Sequence, residues 1–329
     1  MTIAYGIFSG GLDSMLASRL LLDQGVDVRL LTFVTPFFGA KKAMESGRYL
    51  GLVPRAVDIT SPYLTMWANP KYGFGRFANP CIDCHAFMFR EAGRIMRAEG
   101  GDFLFSGEVL GQRPKSQTLQ AMGLVTKASG FGDFILRPLS ARVLPPTKME
   151  TDGLVNREKL GNLSGRTRKP QMALAASYGL NDYPSPAGGC LLTDPAYSRR
   201  LKELAAHVPR YEARDAELLK WGRHLRLSSG YKLIVGRNQV ENEAMEALVL
   251  PGDLRLLVDD IPGPLGLIPG GAALPPRAPE VTTAAAITAS YSDAAVGQAV
   301  RVFISPPESL PALDLVTGLK AEFSKLMIC

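Results

Sequence analysis

The chain has 329 residues, 46% of them hydrophobic, and 37 Lys and Arg against 31 Asp and Glu, a net charge of +6. That length suggests two domains with a full apolar core, and no apolar run is long enough for a membrane span, which needs about 18 residues. The basic excess is small: it is compatible with a polyanionic partner and does not establish one. The opening MTIAYGIFSGG has no basic n-region of a signal peptide, so the expectation is a cytoplasmic protein without membrane association. In a reducing compartment its four cysteines point to metal binding or catalysis, not to a disulfide framework.

In chain order, Ile3–Phe8 reads as a strand, Met15–Leu22 as a helix, Val28–Val34 as a strand, Lys41–Leu50 as a helix and Arg55–Ile59 as a third strand. An irregular segment, Ser61 to Pro80, carries Tyr72, Phe74 and Phe77 beside Lys71 and Arg76. This mixture suits stacking on an unpaired nucleotide, or an ordinary packed surface loop. Cys84–Glu99 reads as a helix, Asp102–Ser106 and Phe134–Arg137 as strands, and Gln171–Tyr178 as a helix. Alternating strands and helices imply an α/β domain, a doubly wound parallel sheet with its ligand site at the C-terminal strand ends. A charged helical stretch spans Arg200–Trp221. Then come a strand at Tyr231–Val235 and a helix capped by Asn238 with Glu241 three residues on. Strands Leu254–Val258 and Leu265–Ile268, an Ala-rich helix Thr282–Ser292 and a closing strand Val300–Ile304 complete a smaller α+β module. The expected division is 1–205, a helical linker 206–226, and 227–329.

The first strand runs into Ser9-Gly10-Gly11-Leu12-Asp13-Ser14. Adjacent glycines let the backbone turn tightly beside a ligand. The helix N-terminus that follows offers unpaired N–H groups and positive potential to phosphate oxygens. Ser9 and Ser14 add hydroxyls, and Asp13 is a candidate Mg²⁺ ligand. The lysine and spacing of a Walker A loop are missing. The run resembles the signature of the PP-loop ATP pyrophosphatases, which split ATP between the α- and β-phosphates and adenylate a carbonyl oxygen.

Asn79-Pro80-Cys81-Ile82-Asp83-Cys84 places a C-x-x-C at a helix start, where thiol pKa falls, and Ala187-Gly188-Gly189-Cys190 supplies a third cysteine on a Gly-rich loop. Three thiolates suit a [4Fe–4S] cluster with one open iron, a Cys₃His zinc site completed by His85, or a persulfide resolved by a second cysteine. Together with the glycine loop, this arrangement resembles the PP-loop tRNA thiolation enzymes, the 2-thiouridine and 4-thiouridine synthases. Phe105-Ser106-Gly107-Glu108, the segment Gly111–Gln117, Arg137-Pro138-Leu139 and Gln171–Leu180 extend the resemblance over roughly residues 1–200. The K-D-Q-S segment of that family lacks its Asp here, and no rhodanese-like segment is present. Val235-Gly236-Arg237-Asn238, Glu241-Asn242, Asp259-Asp260-Ile261-Pro262-Gly263 and Ala284–Ser292 resemble the NFACT RNA-binding domain.

The resemblance implies a tRNA sulfurtransferase that uses ATP, Mg²⁺ and a sulfur donor, either sulfide or a cysteine desulfurase. Ser9, Gly10, Gly11, Asp13 and Ser14 would take the phosphates, with Thr32, Phe33 and Gly107 near the adenosine. Cys81, Cys84 and Cys190 would hold the cluster, with Cys81, Cys190 and Asp13 catalytic. Arg113, Lys115 and Arg237 are the candidate RNA contacts. The alternative is a PP-loop ligase that forms an amide or amidine on a small molecule, with structural zinc.

Overall fold

The computed structural model describes residues 1–180, 183, 189–275, 277–305 and 312–328. Ala187 and Gly188 of the third-cysteine loop, and Cys329, lie outside them. The chain forms two compact units, Met1–Asp194 and Pro195–Cys329.

In the first unit, β1 (Ile3–Ile7), α1 (Leu12–Leu22), β2 (Asp27–Val34), α2 (Lys41–Gly47), β3 (Arg55–Asp58) and α3 (Thr60–Ala68) lead to the long helix α4 (Cys81–Ala98). Then follow β4 (Phe103–Ser106), α5 (Leu119–Ser129), β5 (Ile135–Leu136), α6 (Lys148–Thr151) and α7 (Lys169–Ser177). Among the described residues the sheet has five parallel strands in the order β3-β2-β1-β4-β5. This is the doubly wound α/β arrangement expected from the alternation of elements. The strand order reverses at β1, between β2 and β4, so the turns after β1 and β4 flank the crevice where such sheets bind ligands. Ala4, Phe8, Met15, Leu16, Leu21, Phe103 and Phe105 form the core beneath that edge.

Helix α3 corrects the expectation of an irregular segment. Asp58 Oδ1 accepts the Thr60 N–H at 2.7 Å and starts the turn. Tyr63 and Trp67, four residues apart, then share a buried face. Pro62 sits in the first turn, where the missing N–H costs nothing. Cys81 is the first residue of α4, so both thiols of the C-x-x-C lie in its first turn.

The second unit comprises α8 (Pro195–His207), α9 (Ala213–Leu218), β6 (Arg223–Arg226), β7 (Lys232–Val235), α10 (Gln239–Glu246), β8 (Leu254–Val258), β9 (Gly266–Ile268), α11 (Pro279–Ser290), β10 (Ala299–Ser305) and β11 (Leu313–Val316). The described strands form an antiparallel sheet in the order β11-β10-β8-β9-β7-β6. Helix α11 buries Val281, Ala284, Ala285 and Ile287 against it. Asn238 caps α10 as expected, accepting the Glu241 N–H at 3.0 Å. Two strands are additions to the sequence reading. β6 was hidden by its R-H-L-R composition, and β11 pairs outside β10, so β10 does not close the sheet.

Candidate functional site

The turn after β1 is built for close approach. Gly10 has φ +72°, and a Cβ there would lie 2.4 Å from the Lys42 carbonyl oxygen. Only glycine combines that left-handed conformation with such contact. Gly11 precedes α1 and contributes no capping side chain, so the first amides of the helix are left for a ligand. Ser9 Oγ is 3.4 Å from the Gly11 N–H. The Ser14 hydroxyl, expected to point at phosphate, donates instead to the Gly11 carbonyl at 2.8 Å, and the residue is buried. Gly107 packs closely on the start of α1: a Cβ there would sit 2.5 Å from Ser14 N and 2.6 Å from Asp13 C. Pairing of β1 with β2 ends at Ile7↔Leu31, and β2 continues through Thr32 and Phe33 at the same edge. Both side chains are buried, and both residues sit in the ladder with β3, Thr32 opposite Ala56 and Phe33 opposite Val57.

Asp13 Oδ2 accepts from Gln112 Nε2 at 3.0 Å, while its Oδ1 is buried without a partner. An unpartnered buried carboxylate oxygen is costly, and a hard divalent cation with oxygen ligands suits it. Three cations stand around the glycine turn. Burial, Arg168 and Arg113 together lower the pKa of Lys42, whose backbone touches Gly10. Among the described residues none of the three forms a salt bridge, and Arg168 Nε is buried without an acceptor. Like charges gathered without counterions are stabilised by an incoming anion. The sequence offered Arg113 as an RNA contact, not as a neighbour of the glycine turn. Lys42, Arg168 and Gln112 were not anticipated, although Arg168 lies in the basic run Arg166–Lys169. Lys115 Nζ is 3.4 Å from the Phe74 carbonyl.

The three thiols converge on Tyr63, which is buried among Phe37, Phe38 and Phe87. Its hydroxyl is buried without a hydrogen-bond partner among the described residues, and Cys84, Cys190 and Cys81 all act on it electrostatically. Cys190 is brought there by the Leu191 N–H, which donates to the Phe37 carbonyl at 2.9 Å. Asn79 Nδ2 donates to Cys81 Sγ at 3.1 Å. Burial raises the Cys84 thiol pKa strongly, with Tyr63 opposing; burial also lifts Cys190 to about 11, against the nearby Leu192 amide and Arg113. In a metal-free Cys329→Ser background, alkylation at pH 8 followed by mass spectrometry is therefore expected to label Cys81 first, Cys190 more slowly and Cys84 last. Equal rates at all three would contradict this burial pattern. Among the described residues no three His, Cys, Asp or Glu side chains are arranged to hold a single metal ion. That goes against the Cys₃His zinc alternative: His85 Nδ1 is engaged at 2.7 Å by Glu108. Cysteine thiolates are the donor type that a [4Fe–4S] cluster takes.

Glu108 joins the two halves of the site. It follows Gly107 and contacts His85 and Arg137, with Arg137 Nε donating to its Oε2 at 2.8 Å. Burial works against the charged carboxylate, but Arg137 and His85 outweigh it and hold Glu108 at about 2. Asp83, between the two cysteines of α4, accepts the Lys71 and Tyr72 amides at 2.9 Å each. The aromatic–basic loop is thus fastened to α4, with the Phe74 ring packed at a tilt of 53° against Trp67, centroids 5.2 Å apart. In the second unit, Arg237 is tied to Glu241 by Nε bonds of 2.8 and 2.9 Å, which compromises it as a phosphate contact.

Residues 222–318 match the family model described as the NFACT protein RNA binding domain. The chain is also similar to a probable tRNA sulfurtransferase of Lactobacillus helveticus (strain DPC 4571), 32% identical over 121 residues, 35% of this chain and 29% of the relative. A probable tRNA sulfurtransferase of Lactobacillus acidophilus is 28% identical over 160 residues, 47% and 37% of the two chains. The tRNA-specific 2-thiouridylase MnmA of Symbiobacterium thermophilum is 26% identical over 227 residues, 60% and 54% of the two chains. These matches bear out both resemblances read from the sequence. The matched stretches take in less than two thirds of each relative's length. No described helix is long and apolar enough to cross a membrane.

Proposed function

We propose that this chain is an ATP-dependent tRNA sulfurtransferase that adenylates a uridine carbonyl oxygen and replaces it with sulfur. One observation carries the reading. Arg113 lies within electrostatic range of both Lys42, at the glycine turn, and Cys190, which supports a phosphate site and a sulfur site served by one cation. A uracil carbonyl oxygen is a poor leaving group. Its attack on the α-phosphorus expels pyrophosphate and makes the ring carbon electrophilic. Sulfur adds at that carbon, and AMP leaves with the original oxygen.

The first amides of α1, with Lys42, Arg113 and Arg168, neutralise the charge that develops on the departing pyrophosphate. The amides are held by the helix itself, and preorganised donors of that kind stabilise developing charge most effectively. Asp13 Oδ1 would hold Mg²⁺ on the phosphates, oriented by Gln112. Cys81, Cys84 and Cys190 would hold the [4Fe–4S] cluster, which supplies an iron free of protein ligands for sulfide. The sulfur donor is sulfide or a cysteine desulfurase. The second unit would grip the tRNA, and a soluble, cytoplasmic setting follows from such a substrate.

The test is incubation of anaerobically purified protein with ATP, Mg²⁺, sulfide and unmodified tRNA. Iron and labile sulfide are assayed on the same sample, and nucleosides by mass spectrometry. Thiouridine should form with AMP and pyrophosphate, and Asp13→Asn should lower the rate about 10²–10³-fold, the scale for losing one preorganised electrostatic element. ATP turnover with a small carboxylic acid and an amine, and none with tRNA, would establish the ligase alternative instead.

A further inference from the structure

The NFACT-like motifs are far apart in sequence, yet the fold gathers them at one place on the second unit. Asn242 of the E-N pair fills the space beside Gly236, where a Cβ would lie 1.9 Å from its Oδ1. The same Oδ1 accepts the Leu265 N–H at 3.1 Å, and Nδ2 donates to the Gly263 carbonyl of the P-G turn at 3.4 Å. That turn is held to the end of the Ala-rich helix by the Asp293 N–H, which donates to the Pro262 carbonyl at 2.9 Å. The Gly236 carbonyl accepts from Arg223 Nη1 at 3.2 Å. The assembly thereby positions an arginine that none of the motifs contains. The Arg223 guanidinium carbon lies 4.5 Å from the centre of the Tyr291 ring, and Lys320 Nζ lies 5.4 Å from the same centre.

Neither cation forms a salt bridge among the described residues of this unit, whereas Arg237, Arg226, Lys232, Arg255 and Arg301 all do. The electron-rich face of the ring offsets part of the repulsion. Among the described residues no carboxylate neutralises the remaining positive charge, and Arg223 has only the Gly236 carbonyl as an acceptor. A phosphate diester supplies the missing negative charge, and a tyrosine beside it offers a base a face to stack on. The opposite candidate is the outer face of β8 and β10, where Leu257 and Phe303 are exposed. It is unsuited to RNA, because Arg301 there is paired to Asp314 and also faces Asp259 and Asp260.

We infer that Arg223, Tyr291 and Lys320 form the RNA-backbone contact of the second unit, a site that takes a phosphate of the tRNA substrate. The inference rests on the tRNA reading above. Its test is the affinity of the full chain for a fluorescently labelled unmodified tRNA transcript, measured across a salt series. Each lost phosphate contact reduces the slope of log affinity against log salt by about 1. Lys320→Gln should lower the slope by about that amount, and Arg223→Gln with Lys320→Gln by about twice as much. Arg301→Gln should leave it unchanged. ATP binding serves as the internal control and should be the same in every variant. Lys320 is exposed and among the described residues its side chain makes no hydrogen bond, so its single variant keeps the test valid if Arg223→Gln perturbs the strand. A wild-type slope in both variants would overturn the inference while the tRNA reading stands. No tRNA binding by the wild type would overturn both.

Discussion

Gly107→Ala is expected to abolish the nucleotide cradle while sparing the rest of the sheet. A Cβ at this position would meet Ser14 N at 2.5 Å, Asp13 C at 2.6 Å and Ser14 Cα at 2.7 Å. All three are backbone atoms, so no side chain can rotate away. Either the turn after β4 or the start of α1 must move. Overpacking of this kind costs about 1–3 kcal/mol of stability. The functional loss should be larger, because a shift of about 1 Å in a positioned group costs roughly 10²-fold in rate. Calorimetric ATP titration and urea unfolding of the variant check both parts. Wild-type ATP affinity would mean that the amides of α1 do not receive the phosphates.

Glu108→Ala is expected to be the most destabilising single change near the site. It would leave Arg137, with a side chain 9% exposed, as a buried charge without its counterion. Breaking a buried pair from one side costs about 3–5 kcal/mol. The pH dependence follows from the depressed carboxyl. Glu108 titrates near 4.5 when unfolded and about 2 when folded. Its stabilising contribution is therefore complete above pH 4.5 and is lost as pH falls through 2. Urea midpoints of wild type and Glu108→Gln should differ most near neutrality and converge between those two values. A constant difference down to pH 2.5 would show that the carboxylate is not held ionised by Arg137.

The sequence made the first unit legible because its signals are local. A strand, two glycines and a helix start sit within fourteen residues, and the C-x-x-C announces its own helix. What escaped was assembled from distance. Lys42 and Arg168 look like surface charges until α2 and the start of α7 bring them to Gly10. Gln112 gains meaning only from its bond to Asp13, 99 positions away. Helix α3 was missed because its buried face is two aromatics, not an aliphatic stripe. The hydroxyl of Ser14 and the side chain of Arg237 had the right chemistry, but nearer partners in the fold claim them. β6 and β11 are edge strands, and edges carry the weakest alternation because only part of each is covered.

Asp83 gives the C-x-x-C a mechanical role in addition to its chemical one. Its carboxylate clasps two consecutive amides of the 71–77 loop, and its backbone lies between the two thiols. Whatever reorients the first turn of α4 must drag that loop with it, and whatever presses on the loop is felt at sulfur. Movement at Lys71 and Tyr72 and the orientation of Cys81 and Cys84 are thus geared together through a single side chain. A shorter or neutral residue at 83 would let the two run independently.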